Sequence, residues 1–343
     1  MIDLRSDTIT APSQEMREAM FKAKVGDDFY GLDPTVQELE AMSAELLGKE
    51  AGLFMPSGTM ANAVALLSHT RRGDSMILEE NAHVYRCETG HFAVVAGVVP
   101  KRIKGCKGVL DPAEIENALI GPGVLNPTTR LIWLENTHNA AGGTCTSVDV
   151  MERTKEIADK HRLKIHIDGE RIFNAAIALE VDVKDLVCHA DSIQFGLTKG
   201  LACPFGSVLV GSKSVIETSR KYRQMLGGGM RQAGVMAAAG IVGLKTMIHR
   251  MREDHENAKV LANGLARLGM DVDMETIQTN IVFFRIPDDV MEGDALAVRL
   301  SENGVIVNSP GRGNSRIRMV THYGIEKGHI DETLSVLGKI LGS

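Results

Sequence analysis

Apolar positions along this chain follow two periods, and the change from one to the other outlines the elements. Ala11-Pro12-Ser13 reads as a turn and cap that open a helix through Glu15 to Met20. A second helix is predicted after Asp33-Pro34-Thr35, because Val36, Leu39, Leu46 and Leu47 fall on one helical face. Between them Gly26 to Gly31 has loop composition, of the kind that often carries binding residues. Helical periodicity is also predicted from near Ala61, over 111–119 and over 147–161. Short strand-like runs lie at 75–78, 97–99, 131–135, 164–168, 192–197 and 207–210.

This βα alternation predicts an α/β fold with a mostly parallel sheet covered by helices on both faces. After a helical stretch from about Gln232 to Leu268, the pattern changes to strand-like segments at 280–285, 304–308 and 316–321 with helices between them. That is the pattern of a small α+β domain, expected to take in the N-terminal residues as well. A chain of 343 residues is longer than one core usually supports, so the expected division is a large domain over 12–248 and a small one formed by 1–11 with 249–343.

Composition narrows the classes of function. An apolar fraction of 44% with 24% charged residues is that of a globular protein, neither disordered nor fibrous. The net charge of −6, without a long basic run, argues against nucleic acid as the main partner. Five cysteines without CxxC spacing give no zinc or redox motif and fit a reducing compartment. Asp3 and Arg5 interrupt any leader-like start and no apolar run approaches a membrane span, so a cytoplasmic protein is expected, with no membrane partner and no metal.

The chemistry concentrates where strands end. Asp168 and Lys199 each close an apolar run, and the 31 positions between them accommodate a strand, a crossover and the next strand. Both side chains would then emerge at the carboxyl edge of a parallel sheet, where open α/β sheets bind ligands. An acid and an amine so placed suggest pyridoxal 5′-phosphate: the lysine can form a Schiff base with its aldehyde, and the carboxylate can keep its pyridine nitrogen protonated. Ser57-Gly58-Thr59, before an alanine-rich helix, offers amides and hydroxyls to a phosphate, although an ordinary helix cap reads the same way. His83 follows a strand-like run and could stack on a conjugated ring or move a proton; a structural histidine is the plain alternative. Arg171 could bind a carboxylate or merely pair with Glu170. Arg231, beside Gly227-Gly228-Gly229, is either an anion ligand or part of a surface hinge. Arg316 and Arg318 share one face of a strand, where one could reach a substrate carboxylate or both could be solvated.

Several motifs together resemble the threonine aldolases of the β-eliminating lyase group. They are Asp3 to Thr8, Val25-Gly26-Asp27-Asp28 with Tyr30-Gly31, Pro56 to Met60, Glu135-Asn136-Thr137-His138-Asn139, His166 to Gly169 with Arg171 to Ala175, Lys199-Gly200-Leu201, Gly227 to Gly234, and Val320-Thr321-His322. The resemblance implies the pyridoxal-phosphate-dependent transferase-like fold (fold type I) and retro-aldol cleavage of β-hydroxy amino acids, L-threonine or L-allo-threonine, to glycine and an aldehyde. It implies Lys199 as the Schiff-base lysine, Asp168 on the pyridine nitrogen, His83 on the ring, and Ser57, Gly58 and Thr59 around the phosphate. Ser6, Arg171 and Arg318 would hold the amino acid's carboxylate, and Arg231 would reach the phosphate in a neighbouring subunit of a homotetramer. His83 is the first candidate for proton transfer.

Three positions depart from that pattern. Leu125 stands where relatives often carry a histidine, Glu170 where alanine is usual, and Ala140-Ala141 where a basic residue is often found. They keep open a pyridoxal-phosphate β-eliminating lyase or racemase acting on another amino acid and, more remotely, a non-catalytic small-molecule binding protein.

Overall fold

The computed structural model describes all residues except 120–122, 288–289, 312 and 343. Its strands are β1 (Ile2–Asp3), β2 (Ala51–Met55), β3 (Ser75–Glu79), β4 (Val99–Ile103), β5 (Thr129–Glu135), β6 (Lys164–Asp168), β7 (Ser192–Gly196), β8 (Ser207–Gly211), β9 (Ile281–Arg285), β10 (Val305–Ile306) and β11 (Arg316–Val320). Seven of them form one sheet in the order β2-β8-β7-β6-β5-β3-β4. The five from β4 to β7 run parallel, while β8 pairs antiparallel with both β7 and β2.

Strand alternation divides the core between the two faces of this sheet. Phe54, Ile77, Ile132, Ile165 and Phe195 point into one apolar cluster, and Leu53, Met76, Leu131, Trp133 and Leu209 into another. Both faces are buried, which is why the strands read as continuous apolar runs rather than as half-polar ones. A third cluster gathers Ile2 and Leu4 with Leu261, Phe284, Leu300, Ile317 and Leu337. There β1 pairs with β10 in parallel and β9 with β11 antiparallel.

The predicted caps at Ser13, Asp33 and Ser147 open the helices Gln14–Lys22, Pro34–Leu46 and Val148–His161. Four expectations need correction. The strand expected at 97–99 lies at Val99–Ile103, because Gly97 has a left-handed φ of +68° and turns the chain instead. Pro100 is tolerated within that strand because β4 is an edge. The expected strand at 304–308 shrinks to Val305–Ile306, the length that β1 can pair. The helical stretch from Gln232 to Leu268 is two helices, Gly234–Thr246 and Met251–Arg267. The first is packed into the large core through Ala237, Ala239 and Leu244, the second into the small one through Ala258, Leu261 and Leu265, so the chain turns where it changes cores. Finally, the alanine-rich helix starts at Gly58 rather than near Ala61, which places Gly58 and Thr59 in its first turn.

Candidate active site

The carboxyl ends of β3, β5, β6 and β7 meet on one edge of the sheet, and a cavity of about 250 Å³ opens there. Asp168, Lys199, His83, Arg171, Gly58 and Thr59 all border it. Ser6, Ser57, Arg318 and Arg231 do not, and neither does Leu125, which lies 93% exposed on a separate loop.

Asp168 is the last residue of β6 and is buried. Its two oxygens accept hydrogen bonds from Gln194 Nε2 at 2.6 Å and Asn62 Nδ2 at 2.9 Å. Burial, reinforced by the nearby carboxylates of Glu135 and Glu88, pushes its pKa up to about 7. Its two hydrogen-bond donors are neutral amides and the attraction of the nearby His83 does not offset burial, so a positive group in the cavity would be strongly favoured opposite Asp168. Lys199 follows β7 by three residues and presents Nζ 3.3 Å from Glu170 Oε1.

His83 begins a short helix just after β3. Its backbone N–H donates to Glu135 Oε2 at 2.6 Å, and its Nδ1 lies 2.6 Å from Glu88 Oε1. The bond to Glu88 is the main reason that its pKa is raised. Glu88 also meets His91 through its other oxygen and accepts from Asn62 at 2.8 Å, so it is fixed on three sides. With Nδ1 engaged, Nε2 is the nitrogen left for the cavity. His83, Glu88 and Asp168 place possible metal-ligand atoms within 4.8 Å of one another, and the Glu88 and Asp168 carboxylates also accept the hydrogen bonds just described.

The helix Gly58–His69 aims its N-terminus at the same cavity. Ser57 Oγ accepts from Met60 N–H at 3.2 Å, so its hydroxyl serves as the cap. The amides of Gly58 and Thr59 have no helical carbonyl to bond, and with the helix dipole they favour an anion.

Arg171 is buried and its Nε and Nη2 each donate to the Asp7 carboxylate at 2.7 Å. This replaces the expected alternative of a surface pair with Glu170. Its remaining Nη1 donates to Asn139 Oδ1 at 3.4 Å, and Arg318 Nη2 reaches the same oxygen at 3.0 Å. Burial and the neighbouring Arg171 lower the Arg318 pKa to about 10. Two crowded guanidiniums share one neutral acceptor, an arrangement suited to a carboxylate. Ser6 Oγ accepts from Thr8 N–H at 3.3 Å and donates at 3.4 Å to Oδ1 of Asp7, the residue that Arg171 holds. Arg316 instead lies over the Phe283 ring at 3.7 Å and donates to Ala140 O at 3.3 Å. Arg231 is exposed, pairs with Asp27 at 3.1 Å and covers the Phe29 ring.

Sequence reading did not find Asp7, Asn62, Glu88, Gln194 and Asn139 as individual site residues. Gln194 carried a signal, as a long polar residue inside a fully buried strand, and so did Asn62 in an alanine-rich helix.

The family model described as "Beta-eliminating lyase" matches residues 3–287. The chain is 46% identical to low-specificity L-threonine aldolase 1 of Arabidopsis thaliana, over 97% of this chain and 94% of that one. It is 40% identical to the low specificity L-threonine aldolase of Escherichia coli strain K12, over 97% of each. In fold it is similar to the threonine aldolase of Leishmania major, with a TM-score of 0.84 at 18% identity, over 99% of this chain and 100% of that one.

Proposed function

The chain belongs to the β-eliminating lyase family, and from that membership we propose that it is a pyridoxal-phosphate-dependent threonine aldolase, an aldehyde-lyase that cleaves L-threonine and L-allo-threonine to glycine and acetaldehyde. The observation that carries this reading is the pairing of Lys199 with a buried, amide-held Asp168 across one cavity.

The residues fit the cofactor. Asp168 is hydrogen-bonded only by neutral amides where a protonated pyridine nitrogen would supply a positive donor, and Gly58 and Thr59 offer amides to its phosphate. When bound, pyridoxal phosphate supplies an aldehyde for an amine and a conjugated ring that accepts the electron pair of a bond broken at Cα. Lys199 contributes the primary amine. Asp168 keeps a negative charge opposite the ring nitrogen and so favours electron withdrawal. Arg171 and Arg318, with Ser6 beside them, hold the amino acid's carboxylate and thereby fix which bond to Cα is broken. His83, held through Nδ1 by Glu88, takes the β-hydroxyl proton at Nε2 as the aldehyde forms.

The same reading includes a homotetramer in which the exposed Arg231 serves a neighbouring site, a cytoplasmic location, and the division into 12–248 and 1–11 with 249–343. The separate small core supports the division. No helix among the described residues is long and apolar enough to cross a membrane.

The test is aldehyde release from L-threonine, L-allo-threonine and both D-isomers. Release from an L-isomer that vanishes in Lys199→Ala is the expected result. A yellow, cofactor-bound protein that yields no aldehyde would instead favour β-elimination or racemisation of another amino acid.

A further inference from the structure

Glu170 has no task in the reaction above, although it borders the same cavity. Its carboxylate is nonetheless held in place. Oε1 lies 3.3 Å from Lys199 Nζ, and Oε2 accepts from Gln194 Nε2 at 3.2 Å. Gln194 is itself fixed by Asp168 at 2.6 Å and by Ser207 Oγ at 2.7 Å, so this anchor does not drift. A methyl group built on Gly58 would overlap Glu170 Oε2, and one on Gly196 would overlap Oε1. The carboxylate therefore lies against Gly58, the first residue of the helix Gly58–His69, beside an N-terminus whose dipole favours an anion. Arg171, the next residue, gives its Nε and Nη2 to Asp7 and acts on Glu170 only through the attraction of its charge, without a hydrogen bond.

We propose that Glu170 is an internal anion that competes with the cofactor's phosphate for the N-terminus of the helix Gly58–His69, and that it thereby weakens the hold of this chain on pyridoxal phosphate. The inference rests on the cofactor assignment above. Two anions cannot share one cradle in a partly buried site, where their repulsion exceeds its value in water. Binding a phosphate at the helix N-terminus would therefore be opposed by the Glu170 carboxylate and would favour its displacement from Lys199 and Gln194. A neutral side chain at this position removes the competitor without touching the amides.

The experiment titrates full-length protein, freed of cofactor, with pyridoxal phosphate and with pyridoxal, following the visible Schiff-base absorbance of wild type, Glu170→Gln and Glu170→Ala. Both variants are expected to bind pyridoxal phosphate about ten-fold or more tightly than wild type, a change on the scale of one partly screened charge–charge repulsion. The gain for pyridoxal should be smaller, since it has no phosphate although it still needs Lys199. Glu170→Gln preserves side-chain volume and guards against a packing defect in Glu170→Ala. Unchanged or weaker binding of pyridoxal phosphate in both variants would overturn the proposal, as would equal gains for the two compounds. Absence of the absorbance in every form, wild type included, would overturn the cofactor assignment itself, a pattern distinct from either.

Discussion

At the scale of single residues, the site is a set of charges that constrain one another. Glu88 illustrates this best, since it joins His83, His91 and Asn62, and Asn62 reaches on to Asp168. Its hydrogen bond raises the pKa of His83, and a base must be neutral to accept a proton. Glu88→Gln removes that support, so the His83 pKa falls and the neutral form persists to lower pH. The acid limb of the kcat/KM profile should therefore move to lower pH, with kcat reduced because the ring is held less firmly; an unmoved limb would detach His83 from the proton transfer. Asp168, Lys199 and His83 were legible in the sequence because each follows an apolar run that must be a strand. Glu88 and Asn139 were not: Asn139 meets Arg171 and Arg318 from distant segments, and the link from Glu88 through Asn62 to Asp168 likewise joins remote parts of the chain.

Elements bring those residues together, and most were legible from caps and periodicity. The missed strand β2 is short, and its Ala-Gly-Leu-Phe-Met sequence carries no alternation because Leu53, Phe54 and Met55 are all fully buried. The most consequential link between elements was also invisible: Asp7, in the turn after β1, receives Arg171 from the turn after β6, across 164 positions. Arg171 and neighbouring charges hold the Asp7 carboxyl well below the usual range despite complete burial. A depressed carboxylate pKa contributes stability that is present above the unfolded value near 3.8 and is lost as pH falls through the folded one. Asp7→Asn would leave the Arg171 charge buried with only neutral acceptors, at a cost of about 3–5 kcal/mol. Urea unfolding at neutral pH should show that loss, together with a higher KM for the amino acid; a midpoint equal to wild type would show that the pair does not clasp the two segments.

For the whole molecule, the architecture explains why the chain needs a cationic ligand at its centre. The folded Asp168 pKa near 7, against 3.8 as its ordinary value, means that folding takes up a proton between those limits, so stability falls as pH rises through that interval. A positive ring nitrogen opposite Asp168 offsets this penalty, which ties the stability of the fold to its cofactor. The parallel sheet and the strand ends were readable from βα alternation, and they located the cavity. Long-range pairing decided which side chains turn into it, and that required the folded chain. The most direct measurement is borohydride reduction of the protein with bound pyridoxal phosphate, followed by peptide mapping. One phosphopyridoxyl label is expected, on Lys199 and absent from Lys199→Ala; label on another lysine, with Lys199 unmodified, would overturn the assignment of the Schiff-base lysine.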